Sequence, residues 1–460
     1  RQVVEAITDE YYSVNANVAM VESDYNYYTP YEGNIICMNG VTGTVFTVTK
    51  NEYDLMKKIM QNADLQGIYS ELTHKLIKTR FLTTNMDDEK EYLKALNKQV
   101  NNDGTWHLTL NPTQNCNFRC WYCYEKHPKG YMQPETVKRI KCLATHIFEK
   151  GDTKHFVLSW FGGEPLLYFE KIIYPLSIFI KQLAEEHHVK FSNSITTNGF
   201  FLTGSVIEKC KTIDLKKIQI TLDGDKESHD KIRNQGGKPS FDKILQNSIA
   251  LCNSCSDAVI KLRINYNTDN IQHDFSEVLR EIPENLRSRF FIQFQRIWQT
   301  YQNESNDEIV KRYLDENFFK LKKEGFNLSV NTNYNKFGGI SCYADRINYA
   351  NINYDGNVYK CTAQDYTSET ALGFLDENGQ IRWDKEKTQG IDKQAFFDNQ
   401  VCLNCKYLAI CGGPCFYAWW KCVRNKNNIE CPNKKDKLDI DLPLFIREYY
   451  LGRLKKKYCN

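Results

Sequence analysis

Strand-like and helix-like patterns alternate between residues 105 and 335. Apolar runs rich in β-branched and aromatic residues predict strands, and apolar residues three or four positions apart predict helices. Such repeats favour an α/β fold with a parallel sheet and right-handed crossovers, and six of them are too few for a closed eight-stranded barrel. The predicted strands lie near 107–112, 156–161, 189–197, 217–222, 259–266 and 290–296, and the helices near 134–150, 171–187, 205–210, 241–252 and 273–281.

The segments on either side of this region follow other patterns. Near the start, strands at 34–39 and 43–49 are predicted to form a hairpin, which three helical segments follow, the second and third near 65–78 and 87–99. We expect Asn51 to cap the first of these helices. A long helix near 307–324 and a polar linker precede a cysteine-rich final third. The predicted domains are therefore 1–104, 105–335 and 336–460.

Composition limits the classes of partner. A chain of 460 residues with 41% hydrophobic and 25% charged residues is globular and long enough for two or three domains. Its 60 basic and 57 acidic residues leave a net charge of +3, which does not favour nucleic acid or a membrane surface as a partner. We find no apolar run of about 18 residues and no secretory signal, so we expect a cytoplasmic protein without a membrane span.

Three cysteines, Cys116, Cys120 and Cys123, lie on the loop after the first predicted strand of the α/β region. Three thiolates leave one iron of a four-iron cluster free for another ligand. A zinc loop, or three unrelated thiols, is the alternative explanation. The C-x3-C-x2-C spacing, with Tyr122 before the third cysteine, resembles the radical S-adenosylmethionine (SAM) superfamily. The resemblance implies a partial (β/α)6 barrel, a 4Fe–4S cluster whose open iron binds SAM, and a 5′-deoxyadenosyl radical.

Three further motifs follow predicted strands, where parallel barrels carry their catalytic residues. The turn 162–165 has the sequence Gly-Gly-Glu-Pro, and the resemblance implies that Glu164 holds the methionyl amine of SAM. Ser194 and Asn198 can bond ribose hydroxyls, and Arg233, after a Leu-Asp-Gly stretch, is expected to reach the SAM carboxylate. An ordinary tight turn and a surface arginine are the plain alternatives. The predicted cofactor-binding residues are Tyr122, facing the adenine, and Gly162, Gly163, Glu164, Ser194, Asn198, Asp223 and Arg233.

The final third contains a second cysteine array, in the order C-x13-G-x4-C, then C-x2-C-x5-C-x3-C, then one further cysteine. This order resembles the SPASM extension of radical SAM enzymes, which implies two auxiliary 4Fe–4S clusters and three clusters in total. Two structural zinc sites are the alternative. By position, Cys402, Cys405, Cys411 and Cys431 hold one auxiliary cluster, and Cys342, Cys361 and Cys415 hold the other. Cys422, another residue or a substrate thiolate on an open iron completes the second set.

The combined resemblance implies an oxidoreductase of RiPP biosynthesis, a radical SAM/SPASM peptide maturase. Such an enzyme forms a thioether or carbon–carbon crosslink in a ribosomally made precursor peptide, with a flavodoxin or ferredoxin as electron donor. The N-terminal segment resembles winged-helix-like domains that bind the leader of the precursor, unless it is a packing extension. A sulfatase-maturating, formylglycine-forming enzyme is the nearest alternative, although Thr362 stands where a catalytic aspartate is expected and the acid comes at Asp365. A non-catalytic zinc-rich scaffold is the alternative of another class.

Overall fold

A computed structural model describes residues 20–300, 307–328, 343–388, 400–413, 415–417, 420, 431, 442–443 and 445–453. Its strands are β1 (Val21–Glu22), β2 (Asn26–Tyr31), β3 (Asn34–Asn39), β4 (Val45–Val48), β5 (Leu82–Thr83), β6 (Thr105–Leu110), β7 (His155–Trp160), β8 (Lys190–Thr197), β9 (Leu215–Asp223), β10 (Val259–Tyr266), β11 (Phe290–Arg296), β12 (Asn327–Leu328), β13 (Tyr349–Ile352), β14 (Asn357–Tyr359), β15 (Gly373–Leu375) and β16 (Ile381–Trp383). Its α-helices are α1 (Lys50–Gln61), α2 (Ala63–Ile68), α3 (Ser70–Lys78), α4 (Met86–Asn101), α5 (Pro134–Glu149), α6 (Tyr174–Glu186), α7 (Gly204–Thr212), α8 (Lys226–Ile232), α9 (Phe241–Ser254), α10 (Phe275–Val278), α11 (Glu284–Arg287), α12 (Asp307–Lys323), α13 (Lys385–Thr388), α14 (Gln400–Leu403) and α15 (Leu408–Cys411).

The chain divides into two compact units, each built from separate stretches of sequence. The described residues within Arg1–Asp103, Thr332–Ile347 and Gln389–Asn460 form the first unit, and those within Gly104–Asn331 and Asn348–Thr388 form the second. No helix in the described part of the chain is long and apolar enough to cross a membrane.

The first unit contains an antiparallel sheet in the order β2-β3-β4. The predicted hairpin agrees with β3 and β4, but β2 was missed because Pro30 weakens its strand pattern, and it lies at the sheet edge, where proline is tolerated. Helix α1 begins one residue before the expected cap: Thr49 is the N-cap and exchanges hydrogen bonds with Glu52 in a capping box. The expected helix near 65–78 is two helices, α2 and α3, which meet at Tyr69. The winged-helix-like description stays a prediction.

Two tyrosines of this sheet region contact the short helix α15 and the residues just before it in the first unit. Tyr27 stacks on Tyr407 with ring centroids 6.2 Å apart, and its hydroxyl donates to the carbonyl of Lys406 over 2.6 Å. Tyr25 packs with Leu408 in a neighbouring buried cluster. The core of this unit is thus shared between the beginning and the end of the chain.

The second unit contains a sheet in the order β12-β11-β10-β9-β8-β7-β6-β13-β14-β15-β16. Strands β6 to β12 are parallel in chain order, which confirms the predicted α/β fold with a parallel-rich sheet. The helix α5 matches its prediction within a residue, whereas α8 was missed and the helix expected over 273–281 is only the short α10.

Strand β13 extends this sheet beyond the six predicted strands. It lies parallel to β6, with Tyr349 opposite His107, and β14 to β16 continue the sheet as antiparallel strands. Residues 348–388 therefore belong to the compact unit of the sheet, whereas the sequence pattern placed them in a separate domain beginning at 336. The difference arises because short strands that pair with a distant strand carry no periodicity that reveals the partner.

Candidate active site

The loop that carries Cys116, Cys120 and Cys123 connects the end of β6 to α5. All three thiols are free and partly buried. Burial raises the pKa of Cys116 to about 12 and that of Cys123 to about 11, and it also raises the pKa of Cys120. The charges of Glu164 and Cys120 raise the pKa of Cys116 further, and those of Glu125 and Cys120 raise that of Cys123. The loop thus gathers three thiols whose ionisation requires a compensating positive charge.

The Gly-Gly turn after β7 presses against both ends of this loop. Gly162 and Gly163 have φ values of 82° and 35°, and a Cβ on Gly163 would overlap the carbonyl oxygens of Gln114 and Asn115. The amide of Gly163 also donates to the Glu125 carboxylate over 2.9 Å. Only glycine permits this close approach in this backbone conformation. The turn therefore fixes the position of the cysteine loop.

Glu164, the next residue of the turn, is completely buried. One carboxylate oxygen accepts from the Thr197 hydroxyl at 2.6 Å and the Leu166 amide at 3.0 Å, and the other accepts from the Asn198 amide at 2.7 Å. Burial nevertheless raises the pKa of Glu164 to about 7. A carboxylate offers about four acceptor sites and three are used here, so one acceptor site remains for a cationic donor.

At the ends of β9 and β10, three side chains meet around the Tyr122 hydroxyl. This hydroxyl donates to the Asp223 carboxylate over 2.6 Å and accepts from Arg233 Nη2 at 2.9 Å and from Asn265 Nδ2 at 3.0 Å. Arg233 Nε also pairs with Asp223 Oδ2 at 2.7 Å. Asp223 is completely buried and Arg233 is 12% exposed. Arg233 is therefore a fixed member of this network and not a surface arginine.

His229 and Ser240 support this network through hydrogen bonds to its backbone groups. The amide of Asp223 donates to His229 Nδ1 over 3.2 Å, so His229 Nε2 carries the proton that it donates to Ser240 Oγ at 3.0 Å. Ser240 Oγ in turn donates to the carbonyl of Arg233. Burial lowers the pKa of His229 to about 3, which keeps the imidazole neutral as this tautomer requires. The backbone of both charged residues is thereby fixed.

The two residues predicted to bond a ribose already have protein partners. Ser194 Oγ lies 2.8 Å from Ser159 Oγ on the adjacent strand. Asn198 Nδ2 donates to Asn117 Oδ1 over 2.8 Å and approaches Cys116 Sγ at 3.9 Å. Asn198 thus joins the end of β8 to the cysteine loop. A role for these two residues toward a nucleoside stays a prediction.

Residues 110–282 match the family model described as Radical SAM superfamily. This stretch contains the cysteine loop, the Glu164 turn and the Asp223–Arg233 pair. The chain carries a radical SAM domain. The prediction of this domain, and of an enzyme at the level of the superfamily, is confirmed.

Among characterised proteins, the chain is 29% identical to GTP 3′,8-cyclase of Campylobacter jejuni (strain RM1221) over 212 residues, which are 45% of this chain and 62% of the cyclase. The chain thus matches about three fifths of the length of such cyclases. It is 25% identical to the cysteine-type anaerobic sulfatase-maturating enzyme of Clostridium novyi (strain NT) over 331 residues, 66% of this chain and 85% of that enzyme. The solved structure of native anSMEcpe with bound AdoMet and Cp18Cys peptide is similar in fold, with a TM-score of 0.56, 18% identity and coverage of 75% of this chain and 99% of that chain.

The cysteine loop of the radical SAM domain has the donor chemistry for an iron–sulfur cluster. Within the described residues, no three histidine, cysteine or acidic side chains converge as the ligands of a single metal ion do. The thiolate ligands of a four-iron cluster stand further apart than those of one ion. The thiols have pKa values raised by burial, and a bound metal would lower them again, so the residues fit the group. The ligand assignment itself stays a prediction.

The cysteines of the C-terminal array fall in both units. Cys405 and Cys411 both lie near Tyr27 in the first unit, and Cys402 packs in the adjacent cluster. Cys415 is exposed and Cys431 is partly exposed, whereas Cys361 is buried at the end of β14 in the second unit. Cys342 and Cys422 lie outside the described residues. Both auxiliary ligand sets therefore remain predictions.

Sequence reasoning missed the residues that join the predicted ones. Thr197, Asn265 and Asn117 hold Glu164, Tyr122 and Asn198 in place. The only sequence signal for Asn265 is a polar residue near the end of an apolar strand. His229 lies between Asp223 and Arg233 in the sequence, but nothing in the pattern shows that it bonds to the backbone of Asp223.

Proposed function

We propose that this protein is a radical SAM peptide maturase that abstracts hydrogen from a ribosomally made precursor and forms a thioether or carbon–carbon crosslink. One observation carries the proposal: the cysteine loop, the buried Glu164 and the Asp223–Arg233 pair lie at the carboxyl ends of neighbouring parallel strands. Such strand ends are where catalytic residues collect in parallel barrels. The match to the radical SAM model covers all three features.

Each group then has a role toward a bound cluster and SAM. Cys116, Cys120 and Cys123 are the ligands of the cluster, and Glu164 and Arg233 take the ammonium and carboxylate groups of SAM. When bound, these cofactors supply a 5′-deoxyadenosyl radical. The protein fixes the position of SAM through the glycine turn and the network around Tyr122, and it keeps the target C–H bond in reach. Ser194 and Asn198 are proposed ribose partners, and Tyr122 contacts the adenine.

The peptide substrate is supported by two comparisons. The name of the sulfatase-maturating relative says that it acts on another protein. The structure of anSMEcpe, which is similar in fold, was solved with a Cp18Cys peptide. Residues 1–104 are the proposed leader-binding domain, in which an edge strand such as β2 offers backbone groups to an extended peptide. A flavodoxin or ferredoxin is the proposed electron donor.

Anaerobic reconstitution tests the proposal. We expect iron near twelve atoms per chain from roughly three four-iron clusters, and release of 5′-deoxyadenosine when SAM and a strong reductant are added. Coexpression with short open reading frames beside the gene is expected to yield a peptide that has lost hydrogen by mass spectrometry. Zinc alone, with no deoxyadenosine, would instead identify the zinc-rich scaffold and reject the enzyme.

A sulfatase-maturating activity is the second candidate, favoured by the match to 85% of the length of the Clostridium novyi enzyme. Against it, Thr362 follows Cys361, and the nearest acid, Asp365, pairs with Lys126 at 3.0 Å. Peptide mass separates the two activities, because a crosslink removes only hydrogen, whereas conversion of cysteine to formylglycine also replaces sulfur with oxygen.

A further inference from the structure

The central strands of the second unit have one apolar and one polar face. In β10, Ile260, Leu262 and Ile264 are completely or almost completely buried, and the intervening residues point to the opposite face. Those residues are Lys261, Arg263 and Asn265. On the neighbouring strands the register places Gln219 and Phe291 beside Lys261, and Thr221 and Gln293 beside Arg263. Most of these polar residues are only partly buried, so this face is accessible to solvent.

This polar face is continuous with the candidate active site. Arg263 Nε donates to Asn265 Oδ1 over 3.1 Å, and Asn265 Nδ2 donates to the Tyr122 hydroxyl. Arg263 therefore lies two residues before Asn265 on the same face of β10, and Lys261 lies two residues before Arg263. Each step of two residues along a strand is about 6.6 Å.

The face carries more positive than negative charge. Asp223 is already paired with Arg233 at 2.7 Å. In the part of the chain that the structure describes, no carboxylate forms an ion pair with Lys261 or Arg263. Burial lowers the pKa of both residues. The charge of Arg263 lowers the pKa of Lys261 further, whereas for Arg263 the effect of Arg233 is opposed by Tyr124 and Asp223. Partly buried cations without a counter-ion are costly, which favours an anionic ligand at this position.

We propose that Lys261 and Arg263 form a subsite that binds a carboxylate of the substrate, supplied by an aspartate or glutamate side chain close to the modified residue. The proposal rests on the peptide substrate of the proposed function and names a feature of that substrate. The planar guanidinium of Arg263 and the ammonium of Lys261 match the two oxygens of a carboxylate. Gln293, next to Arg263 in the sheet, offers a further amide donor.

Binding of two probe peptides to the SAM-loaded, anaerobically reconstituted full chain tests this subsite. The probes are acetylated, amidated pentapeptides of sequence Gly-Cys-Gly-Asp-Gly and Gly-Cys-Gly-Asn-Gly, and their dissociation constants are measured by calorimetry. We expect the aspartate peptide to bind about tenfold more tightly, as for a charge-assisted contact. The double variant Lys261→Met/Arg263→Met is expected to bind both peptides equally.

The matched control Lys138→Met/Arg280→Met removes one exposed lysine and one exposed arginine elsewhere in the unit and is expected to keep the preference. If the methionine variant does not fold, Lys261→Gln/Arg263→Gln replaces it. Equal binding of the two peptides by the wild type, including no binding of either, overturns the subsite. A preference that survives the substitutions while SAM binds more weakly assigns the cations to the cofactor and also overturns it. Deoxyadenosine release by the same preparation tests the proposed function separately.

Discussion

At the scale of single residues, the candidate site is a set of buried polar groups whose partners come from distant parts of the sequence. Glu164, Asp223 and Arg233 were predicted from local motifs, and the structure places each in a hydrogen-bonded network. Asn265 was not predicted, because it is 143 residues from Tyr122, and a single sequence gives no signal for such a contact. Motifs thus indicate which residues have special chemistry, but not which residues hold them.

The ionisation of Glu164 predicts how SAM binding depends on pH. Burial raises its pKa to about 7, so the carboxyl group is protonated below that value and loses its attraction for an ammonium group. If Glu164 holds the amine of SAM, the dissociation constant measured by calorimetry rises about fivefold between pH 7 and pH 6. Glu164→Gln is expected to bind SAM weakly at every pH. A wild-type affinity that is unchanged over this range argues against the assignment.

The hydrogen bonds to the backbone of Asp223 and Arg233 predict a positioning role for His229 and Ser240. His229→Phe leaves the buried amide of Asp223 without an acceptor, and Ser240→Ala frees the carbonyl of Arg233. We expect SAM to bind about tenfold more weakly in each variant, in line with other residues that support ligands indirectly.

Ser248→Ala is the matched control for this prediction. Ser248 is a buried serine on the same helix as Phe241, and its hydroxyl donates to the carbonyl of Ile244 over 2.7 Å. It is expected to lower the melting temperature slightly and to leave the dissociation constant of SAM unchanged. If both serine variants weaken SAM binding equally, the effect of Ser240→Ala comes from general destabilisation and not from positioning.

At the scale of elements, the order of strands and helices was predictable and their ends were not. The parallel strands carry strong apolar periodicity, so six of them were found within two residues. Helix α1 begins at Thr49 because its capping box with Glu52 outweighs the asparagine signal two residues later. The strands β13 to β16 were not predicted as part of the sheet, because runs of three or four residues carry too little pattern.

The contact between the Gly-Gly turn and the cysteine loop predicts the effect of adding a single methyl group to the turn. Gly163→Ala places a Cβ against the carbonyl oxygens of the loop at a φ of 35°, which we expect to destabilise the protein by about 1–3 kcal/mol. The displaced loop is expected to lose its cluster, which removes about four iron atoms per chain. Gly204→Ala is the control, because nothing lies within 4 Å of the added atom. Full iron content in Gly163→Ala would contradict the coupling.

At the scale of the whole molecule, the cysteines that the structure describes include two kinds with different surroundings. Cys37, Cys210, Cys252 and Cys255 are buried in apolar clusters and serve as packing residues. The predicted ligands on the loops are partly buried beside polar groups or lie in the C-terminal array. Spacing in the sequence predicted the ligands, and burial in apolar clusters identifies these four cysteines as packing residues.

Iron analysis of two variants checks this division. Cys402→Ala/Cys405→Ala is expected to lower the iron content by about four atoms per chain, because it removes two ligands of one proposed auxiliary cluster. Cys210→Ala is expected to keep all of the iron but to lower the melting temperature, because Cys210 is completely buried in the core. Loss of iron from Cys210→Ala, or full iron in the double variant, would reverse the assignment.

The stacking of Tyr27 on Tyr407 has a consequence for biosynthesis. The two rings are 380 positions apart in the sequence, since their numbers differ by that amount. The core that they share closes only after residue 407 has left the ribosome, whereas the sheet of the second unit has all of its strands once residue 383 has emerged. The second compact unit is therefore able to fold first during translation, whereas the first unit completes its core only when Tyr407 is available to Tyr27.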